Sequence, residues 1–417
     1  MLGSHAIYSV YDIRTDIRPT VAEVDLGALR RNVDVLRARL DGGDSLATEA
    51  ANGGAPRGDL AAGGASGHTG ILAVLKADAY GHGAVPCAQA VARQVWGFAV
   101  SLVEEGVELR RAGLIDQPIV VLGCYYGLSH RDVVAYRLTP VVADARDLSR
   151  FARAAADLGA PRVPVHVKID TGMSRLGVRP EHLDSFVDAL RAEPGVTLGG
   201  LCTHLADADG TEPQTTIDQL ERFFTCRQHV ADRGVQPGVL HAANTAGSVR
   251  FGSARLDLVR PGIGLYGVAP PNTPLAGLWP VLSLKTRIVA LREVPPGTGI
   301  SYGSRTRTQA RARIATLPIG YADGYSRRMS DRAQVLCGGR RCPVLGPITM
   351  DMTMIDVTHV PGVAVGDEVV LIGGQARSDG PADLPITLDE MADWAGTIAY
   401  EVCCAISKRV PRIYTGP

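Results

Sequence analysis

Eight short apolar runs, separated by longer stretches with helical spacing, dominate the middle of this chain: Ile71–Leu75, Trp96–Val100, Pro118–Leu122, Thr139–Ala143, Val163–Ile169, Val196–Thr203, Val239–Ala243 and Leu256–Val259. Strands that are apolar throughout and alternate with helices read as parallel βα units, because each crossover helix covers a sheet face and leaves the strand buried on both sides. A doubly wound open sheet can be written from the same alternation. Eight units between Ile71 and Arg260 fit a closed (β/α)8 barrel better. Ahead of them, Asp25 is a candidate N-cap, and Leu29, Val33, Leu36 and Leu40 fall on one face of a first amphipathic helix. From Gly42 to Gly70 the composition shifts to Gly, Ala, Ser and Asp with almost no large apolar residue, which predicts a mobile surface insertion that cannot offset its ordering entropy.

At 417 residues the chain exceeds the size at which one core stops growing, so two domains are expected. The style changes beyond Tyr266 at Pro270-Pro271-Asn272-Thr273-Pro274, which reads as a linker. After it, Val281–Leu291, Arg313–Leu317, Ala333–Leu336, Met354–Val357 and Glu368–Ile372 alternate or carry β-branched residues between Gly and Pro turns, with one late helix at about Thr387–Trp394. The expected fold is therefore α/β: an N-terminal (β/α)8 TIM-type barrel over 20–268 carrying the insertion at 42–70, then a mostly β C-terminal domain over 269–417. Residues 1–19 read as a tail, and 20–25 as a candidate first strand of the β-domain.

Lys plus Arg and Asp plus Glu number 43 each, so no net field draws the chain to nucleic acid or to an anionic membrane, and a small-molecule partner is the default. No apolar run is long enough to span a bilayer, and residues 1–19 lack the apolar core of an export signal, which predicts a cytoplasmic protein. The eight cysteines form no Cys-x-x-Cys pair, so reduced thiols and no metal site are expected. Cys337 and Cys342 are close enough to face each other across a hairpin at Gly338-Gly339.

A barrel places its chemistry at the C-terminal ends of strands. The first run ends in Lys76, with Tyr80 four residues on in Lys76-Ala77-Asp78-Ala79-Tyr80-Gly81-His82-Gly83. Partial desolvation there disfavours the ammonium, as a Schiff-base lysine requires, although on its own such a lysine reads as a rim residue that snorkels. Other strand ends change that reading. The fifth run carries Lys168 into a Gly-punctuated loop that presents Arg175, and His204 ends the sixth. Asn244 and Thr245 follow the seventh as candidate phosphate donors. Arg260 ends the eighth, and Gly262 and Gly264 beyond it expose backbone N–H groups that suit a phosphate nest.

Lys76–His82, Lys168–Gly177, Arg260–Gly267, Ile319–Gly324 and Arg409–Arg412, in this order and spacing, resemble the alanine racemase family. The resemblance implies a pyridoxal 5′-phosphate barrel plus a β-domain, working as a head-to-tail homodimer that interconverts L- and D-alanine and supplies D-alanine for cell-wall peptidoglycan. Carried over motif by motif, Lys76 would hold the cofactor covalently and Tyr80, Thr245, Gly262, Ile263 and Tyr400 would surround its phosphate, beside the strand-end candidate Asn244. Arg260 would face the pyridine nitrogen. Arg175 would lie by the phenolic oxygen and the substrate carboxylate. Tyr302 would be the second base, reaching the neighbouring barrel, with His204 supplying the positive environment that a tyrosine of ordinary pKa about 10 needs to act as a base. Met350 and Asp351 would line the substrate site from the partner, Met350 offering a backbone donor, and Tyr321 with Tyr400 would form an inner gate. Lys168 matches a lysine that is carbamylated in some members.

Three departures bear on this. Thr245 stands where many members have Ser and keeps the hydroxyl; Thr349 and Met352 replace a frequent Cys and Gln beside the Met350-Asp351 pair; and the 42–70 insertion is longer than the usual connection. A broad-specificity racemase acting on serine, lysine or arginine fits the same fold. A fold-related decarboxylase fits less well, having no use for Tyr302, and outside the resemblance Tyr302 reads as a tyrosine flanking a turn.

Overall fold

The computed structural model describes residues 18–42 and 68–416. Most of the 42–70 insertion and all but two residues of the 1–19 tail lie outside the described residues. Within them the chain divides into two compact units: Leu26–Trp279, and residues 18–25 together with 280–416.

The first unit is a closed barrel of eight parallel strands, β2 (Gly70–Val74), β3 (Gly97–Val100), β4 (Ile119–Val121), β5 (Thr139–Val142), β6 (Val163–Lys168), β7 (Val196–Cys202), β8 (Val239–His241) and β9 (Leu258–Val259). Each of the eight apolar runs coincides with a strand: β2 begins one residue before its run, the other seven strands are shorter than theirs by one or two residues, and β2 closes on β9 through Gly70↔Leu258 and Ile71↔Val259. The α/β barrel class is thus the observed one. Helices cover the outside: Leu26–Asp41 buries Leu29, Val33 and Leu36, and Ala145–Leu158 is capped by Asp144, whose carboxylate accepts from Arg146 N. Asn32 on the first helix donates to Leu265 O (3.0 Å) and Trp279 O (2.8 Å) and accepts from Trp279 N (2.7 Å), tying the end of this unit to its start.

One irregularity shapes the barrel interior. Pairing of β6 with β7 slips between Val165↔Leu198 and His166↔Gly200, leaving Gly199 as an extra residue. A Cβ on Gly200 would lie 2.9 Å from the His166 ring, so only glycine lets that imidazole turn inward.

In the second unit β1 (Val21–Asp25) lies between β10 (Leu282–Arg287) and β19 (Arg412–Thr415) in a six-stranded sheet that continues through β18 (Glu368–Ile372), β15 (Gln334–Cys337) and β16 (Arg340–Pro343). A second sheet orders β11 (Ala290–Val294), β14 (Ala312–Leu317) and β17 (Thr353–Asp356), and a ribbon pairs β12 (Gly299–Ile300) with β13 (Thr306–Arg307). The sequence run Val281–Leu291 is not one strand: it breaks at Ile288-Val289 and supplies β10 to one sheet and β11 to the other. The single late helix expected from sequence is two, Leu388–Ala395 and Ala399–Ala405, divided by Gly396 in the left-handed region. The β15–β16 hairpin does turn at Gly338-Gly339, but Cys337 opposes Arg340 and Cys342 opposes Val335, so the two cysteines are diagonal neighbours rather than a facing pair. Among the described residues no helix is long and apolar enough to cross a membrane.

Candidate active site

Lys76 stands two residues beyond the end of β2 at Val74, half-buried, and the backbone beyond it does something the sequence does not announce. Ala77, Asp78, Ala79 and Tyr80 all have φ of 53–54°, a run of four non-glycine residues in the left-handed region. Each costs about 1–2 kcal/mol against the right-handed form, so the run persists only because its surroundings over-determine it. Ala79 N donates to Leu75 O (2.8 Å) and Gly83 N to Asp78 O (2.9 Å), while the Asp78 carboxylate accepts from Ala84 N (2.6 Å). His82, fully buried, stacks on Tyr266 with centroids 4.5 Å apart, and Tyr80 packs on the same ring at 5.1 Å. Tyr266 in turn donates its hydroxyl to Val74 O (2.9 Å), anchoring the stack on β2.

The turn brings Tyr80 to the loop after β9. A Cβ on Gly262 would lie 2.5 Å from Tyr80 Oη, so glycine is what permits this approach. Thr245 Oγ1 accepts from Gly262 N (3.0 Å) and Gly264 N (3.4 Å), which leaves the hydroxyl proton as the one it can donate. Asn244 caps the helix Thr245–Arg250, its side-chain oxygen accepting from Gly247 N (2.9 Å). Tyr80, Asn244, Thr245, Gly262 and Ile263 are therefore gathered at one rim, with Asn244 serving a helix end through its oxygen and offering only its amide N–H groups outward.

Beneath that rim lies a chain of polar groups buried in the barrel. Arg260, 5% exposed, donates to Thr203 O (2.8 Å), Ala242 O (2.7 Å), His241 Nδ1 (2.8 Å) and His204 Nδ1 (3.1 Å). A guanidinium only donates, so both Nδ1 atoms must accept. His241 then carries its proton on Nε2 and donates it to His166 Nδ1 at 2.9 Å, which leaves His166 protonated on Nε2. Burial, followed by the charge of Arg260, pushes His166 down to about 4 and pushes His204 and His241 well below the ordinary histidine range. All three imidazoles are neutral near pH 7. The expectation that His204 brings positive charge is corrected on this point: the cation of the group is Arg260, and His204 is an acceptor held beside it.

Arg260, Lys168, Arg175 and Lys76 all lie within electrostatic reach of His204, each pushing it further down. Burial, then the charges of Arg175 and Arg260 against the opposing pull of Cys202, also depresses the Lys168 ammonium. Arg175 is exposed on a loop whose shape is set by Asp170, which accepts from Gly172 N (3.1 Å) and Ser174 N (3.0 Å). Gln219 was not found by sequence reasoning. Buried on the helix Gln214–Asp232, it donates to Thr171 Oγ1 (3.2 Å) and His204 O (3.1 Å) and accepts from Ala206 N (2.8 Å), locking the loops after β6 and β7 together. His166 was also missed, although its place two residues before Lys168 on a strand puts the two on one face.

The β unit gathers the other candidates. Tyr321 N donates to Thr349 O (3.0 Å) and Ala322 N to Met350 O (3.1 Å), so the Tyr321 turn and the Met350-Asp351 loop are one piece. Asp351 pairs with Arg409 (2.7 Å), and Arg409 with the fully buried Asp323 (3.2 Å), which also pairs with Arg18 (2.5 Å). Ser301 donates to Pro347 O (2.6 Å), setting the Tyr302 turn beside the same loop, and Tyr400 lies on Ala399–Ala405, after which Ser407 N donates to Asp323 O (3.0 Å). Tyr302 and Met350 are 69% and 53% exposed.

Fold and residues together define a class: two-unit chains in which a closed (β/α)8 barrel, with a lysine at the end of its first strand and a positive mouth, is combined with a mostly β C-terminal unit. Residues 60–270 match the family model of the alanine racemase N-terminal domain and residues 281–414 that of its C-terminal domain. The chain is 42% identical over 406 residues to the alanine racemase of Sorangium cellulosum, covering 96% of this chain and all of that protein, and 41% identical over 400 residues to that of Desulfovibrio desulfuricans, covering 95% and 98%. The solved alanine racemase of Streptomyces coelicolor A3(2) superposes with a TM-score of 0.85 at 33% identity, over 97% of this chain and all of that one. The chain belongs to the alanine racemase family, a family of isomerases.

Proposed function

We propose that the protein interconverts L- and D-alanine with pyridoxal 5′-phosphate, taking a proton from one face of Cα and delivering one to the other. The observation that carries the reading is the gathering of Lys76, Lys168, Arg175 and Arg260 around His204, beside a rim where Tyr80, Thr245 and Gly262 converge. Four cations at a barrel mouth suit a ligand that carries a phosphate, a phenolate and an amino-acid carboxylate. The rim fits the phosphate, because Gly262, lacking a Cβ, lets the Tyr80 hydroxyl close on the loop after β9, and because the Thr245 hydroxyl keeps a proton to donate.

When bound, the cofactor supplies an electron sink for the pair left at Cα. Lys76 would hold it covalently, and the Lys76 amine would move the proton at one face of Cα. Tyr80 and Thr245 would bind the phosphate, with Asn244 and Ile263 around it. Arg260, which cannot give up its proton, would meet the ring nitrogen and favour its unprotonated form, which would limit how strong a sink the cofactor supplies. His241 and His166 hold Arg260 in place as neutral acceptor and relay. Arg175 orients the carboxylate. Lys168 is the amine whose carbamylation would remove one positive charge beside Arg175. Tyr302 moves the proton at the opposite face, and we assign it to the partner chain of a homodimer, together with Met350 and Asp351; Tyr321 and Tyr400 restrict the pocket to a small side chain. In this reading the enzyme works in the cytoplasm and its D-alanine feeds peptidoglycan.

The test is a coupled or polarimetric assay of L-alanine against L-serine, L-lysine and L-arginine on purified protein, with borohydride fixation to locate the cofactor. Turnover of alanine well above the others, with the fixed cofactor on the Lys76 peptide, is expected. Equal turnover of lysine or arginine would replace the narrow reading by the broad one.

A further inference from the structure

The left-handed run after Lys76 has a restraint that comes from outside its own turn. Ala77 N, the first backbone donor beyond the lysine, donates to Glu105 Oε1 at 2.7 Å. Glu105 stands in the first turn of the helix Val103–Arg111, which begins just after β3, and its other oxygen accepts from Ser101 N (2.7 Å) and Leu102 N (3.0 Å). One carboxylate therefore serves three backbone donors, two that open a helix and one at the entry to the strained turn. The two duties differ. Capping the helix needs only Oε2, and a hydrogen bond to a charged acceptor is a common way to do it. The reach of Oε1 across to Ala77 adds nothing to that helix. It fixes the peptide joining Lys76 to Ala77, and so the direction in which the lysine leaves β2 and the place from which Tyr80 starts toward Gly262.

We propose that Glu105 is a positioning residue for Lys76: by clamping Ala77 N it holds the left-handed turn in register and aims the lysine into the barrel mouth. This rests on the reading of Lys76 as the residue that carries the cofactor. A strained segment held at several points is placed more narrowly than a relaxed one, and losing one of those points lets it open locally without unfolding the domain.

Glu105→Gln separates the two duties. Its single carbonyl oxygen satisfies more donors by staying on Ser101 and Leu102, which turns the amide N–H groups toward Ala77 N and breaks only the clamp. In the holoenzyme, amide exchange of the Ala77–Gly83 peptide should rise about tenfold and hydroxylamine should strip the cofactor about tenfold faster, the scale of one hydrogen bond. Exchange at Ser101 and Leu102 and the melting temperature should stay at wild-type values, and kcat should fall while KM for alanine holds within about twofold. Glu105→Ala should add loss of protection at Ser101 and Leu102 and a lower melting temperature; if it fails to fold, Glu105→Gln alone decides. Wild-type exchange in Ala77–Gly83, or faster exchange there with wild-type stripping, in Glu105→Gln would overturn the proposal and leave Glu105 a helix cap. A borohydride-fixed cofactor that persists in Lys76→Ala would instead sink the reading of Lys76, and the exchange comparison would still report on the clamp.

Discussion

In the barrel, His166, His241 and Arg260 are 3%, 0% and 5% exposed and each is held by the next, whereas in the β unit Tyr302, Met350 and Tyr321 are 69%, 53% and 39% exposed. Both sets come from one chain, yet only the first is finished by it. The barrel set has its tautomers, charges and ring positions decided by hydrogen bonds among its own members. The β-unit set has its backbone decided, through Tyr321 N to Thr349 O and through the Asp351, Arg409, Asp323 and Arg18 chain, while its functional side chains face water. A base surrounded by water exchanges its proton with solvent and stabilises no particular face of a substrate. What the contrast teaches is that the second set needs covering, which is why we assign it to a neighbouring barrel.

The largest effect that tests this contrast is at the barrel. Lys76→Ala should lower racemisation by about 10⁴-fold or more and abolish the borohydride-fixed cofactor, since it removes both the covalent anchor and a base. Steady-state rates in both directions measure it, and substantial residual turnover would mean the barrel's lysine is a rim residue after all. Next comes the β unit. Tyr302→Phe should lower racemisation by about 10²–10⁴-fold, and solvent deuterium should still enter Cα from one enantiomer while entering poorly from the other. Equal loss from both enantiomers would end the two-base scheme. The two variants combined ask where the halves meet: after subunit exchange, mixed dimers contain one site with both residues intact, so about a quarter of wild-type activity should return. No recovery would place Lys76 and Tyr302 in the same chain's site.

The two regions were also unequally legible in the sequence. All eight barrel strands could be read, because a parallel strand buried on both faces is continuously apolar and its neighbours are helical. Lys76, Arg260 and Thr245 could be read from their position at strand ends. The left-handed turn could not, since Ala77, Asp78, Ala79 and Tyr80 carry no preference for that conformation and its stability comes from Glu105, Asp78 and the Tyr266 stack. Val281–Leu291 reads as one strand because its apolar and β-branched pattern continues through Ile288-Val289; the division between two sheets is a tertiary decision. The helix Ala399–Ala405 was missed because it is short and has no side-chain cap. The neutrality of His204 is not legible either, because the depth of its burial and the donor-only nature of Arg260 act together, and only the fold brings them into contact.

The smallest effect we predict separates the units by pH rather than by substitution. Histidine in an unfolded chain titrates near about 6.5, while the barrel holds His166 down to about 4 and His204 and His241 well below their ordinary range. Above about pH 6.5 neither state takes these protons, and their contribution is flat. Below it the unfolded chain takes protons that the fold refuses, so stability is lost as pH falls toward about 4, at about 1 kcal/mol per pH unit for each buried imidazole. The β unit's site residues include no buried imidazole. Between pH 6.5 and 4.5, protection against hydrogen exchange, taken relative to each amide's intrinsic rate at that pH, should therefore fall in the barrel strands β6 to β8 before it falls in β10, β15 and β18, and His166→Gln should shallow the barrel's slope by about one imidazole's share. A barrel whose protection stays flat over that range, or falls in step with the β unit, would mean that the imidazoles beside Arg260 are not held neutral and that the order of donors and acceptors along the chain is wrong.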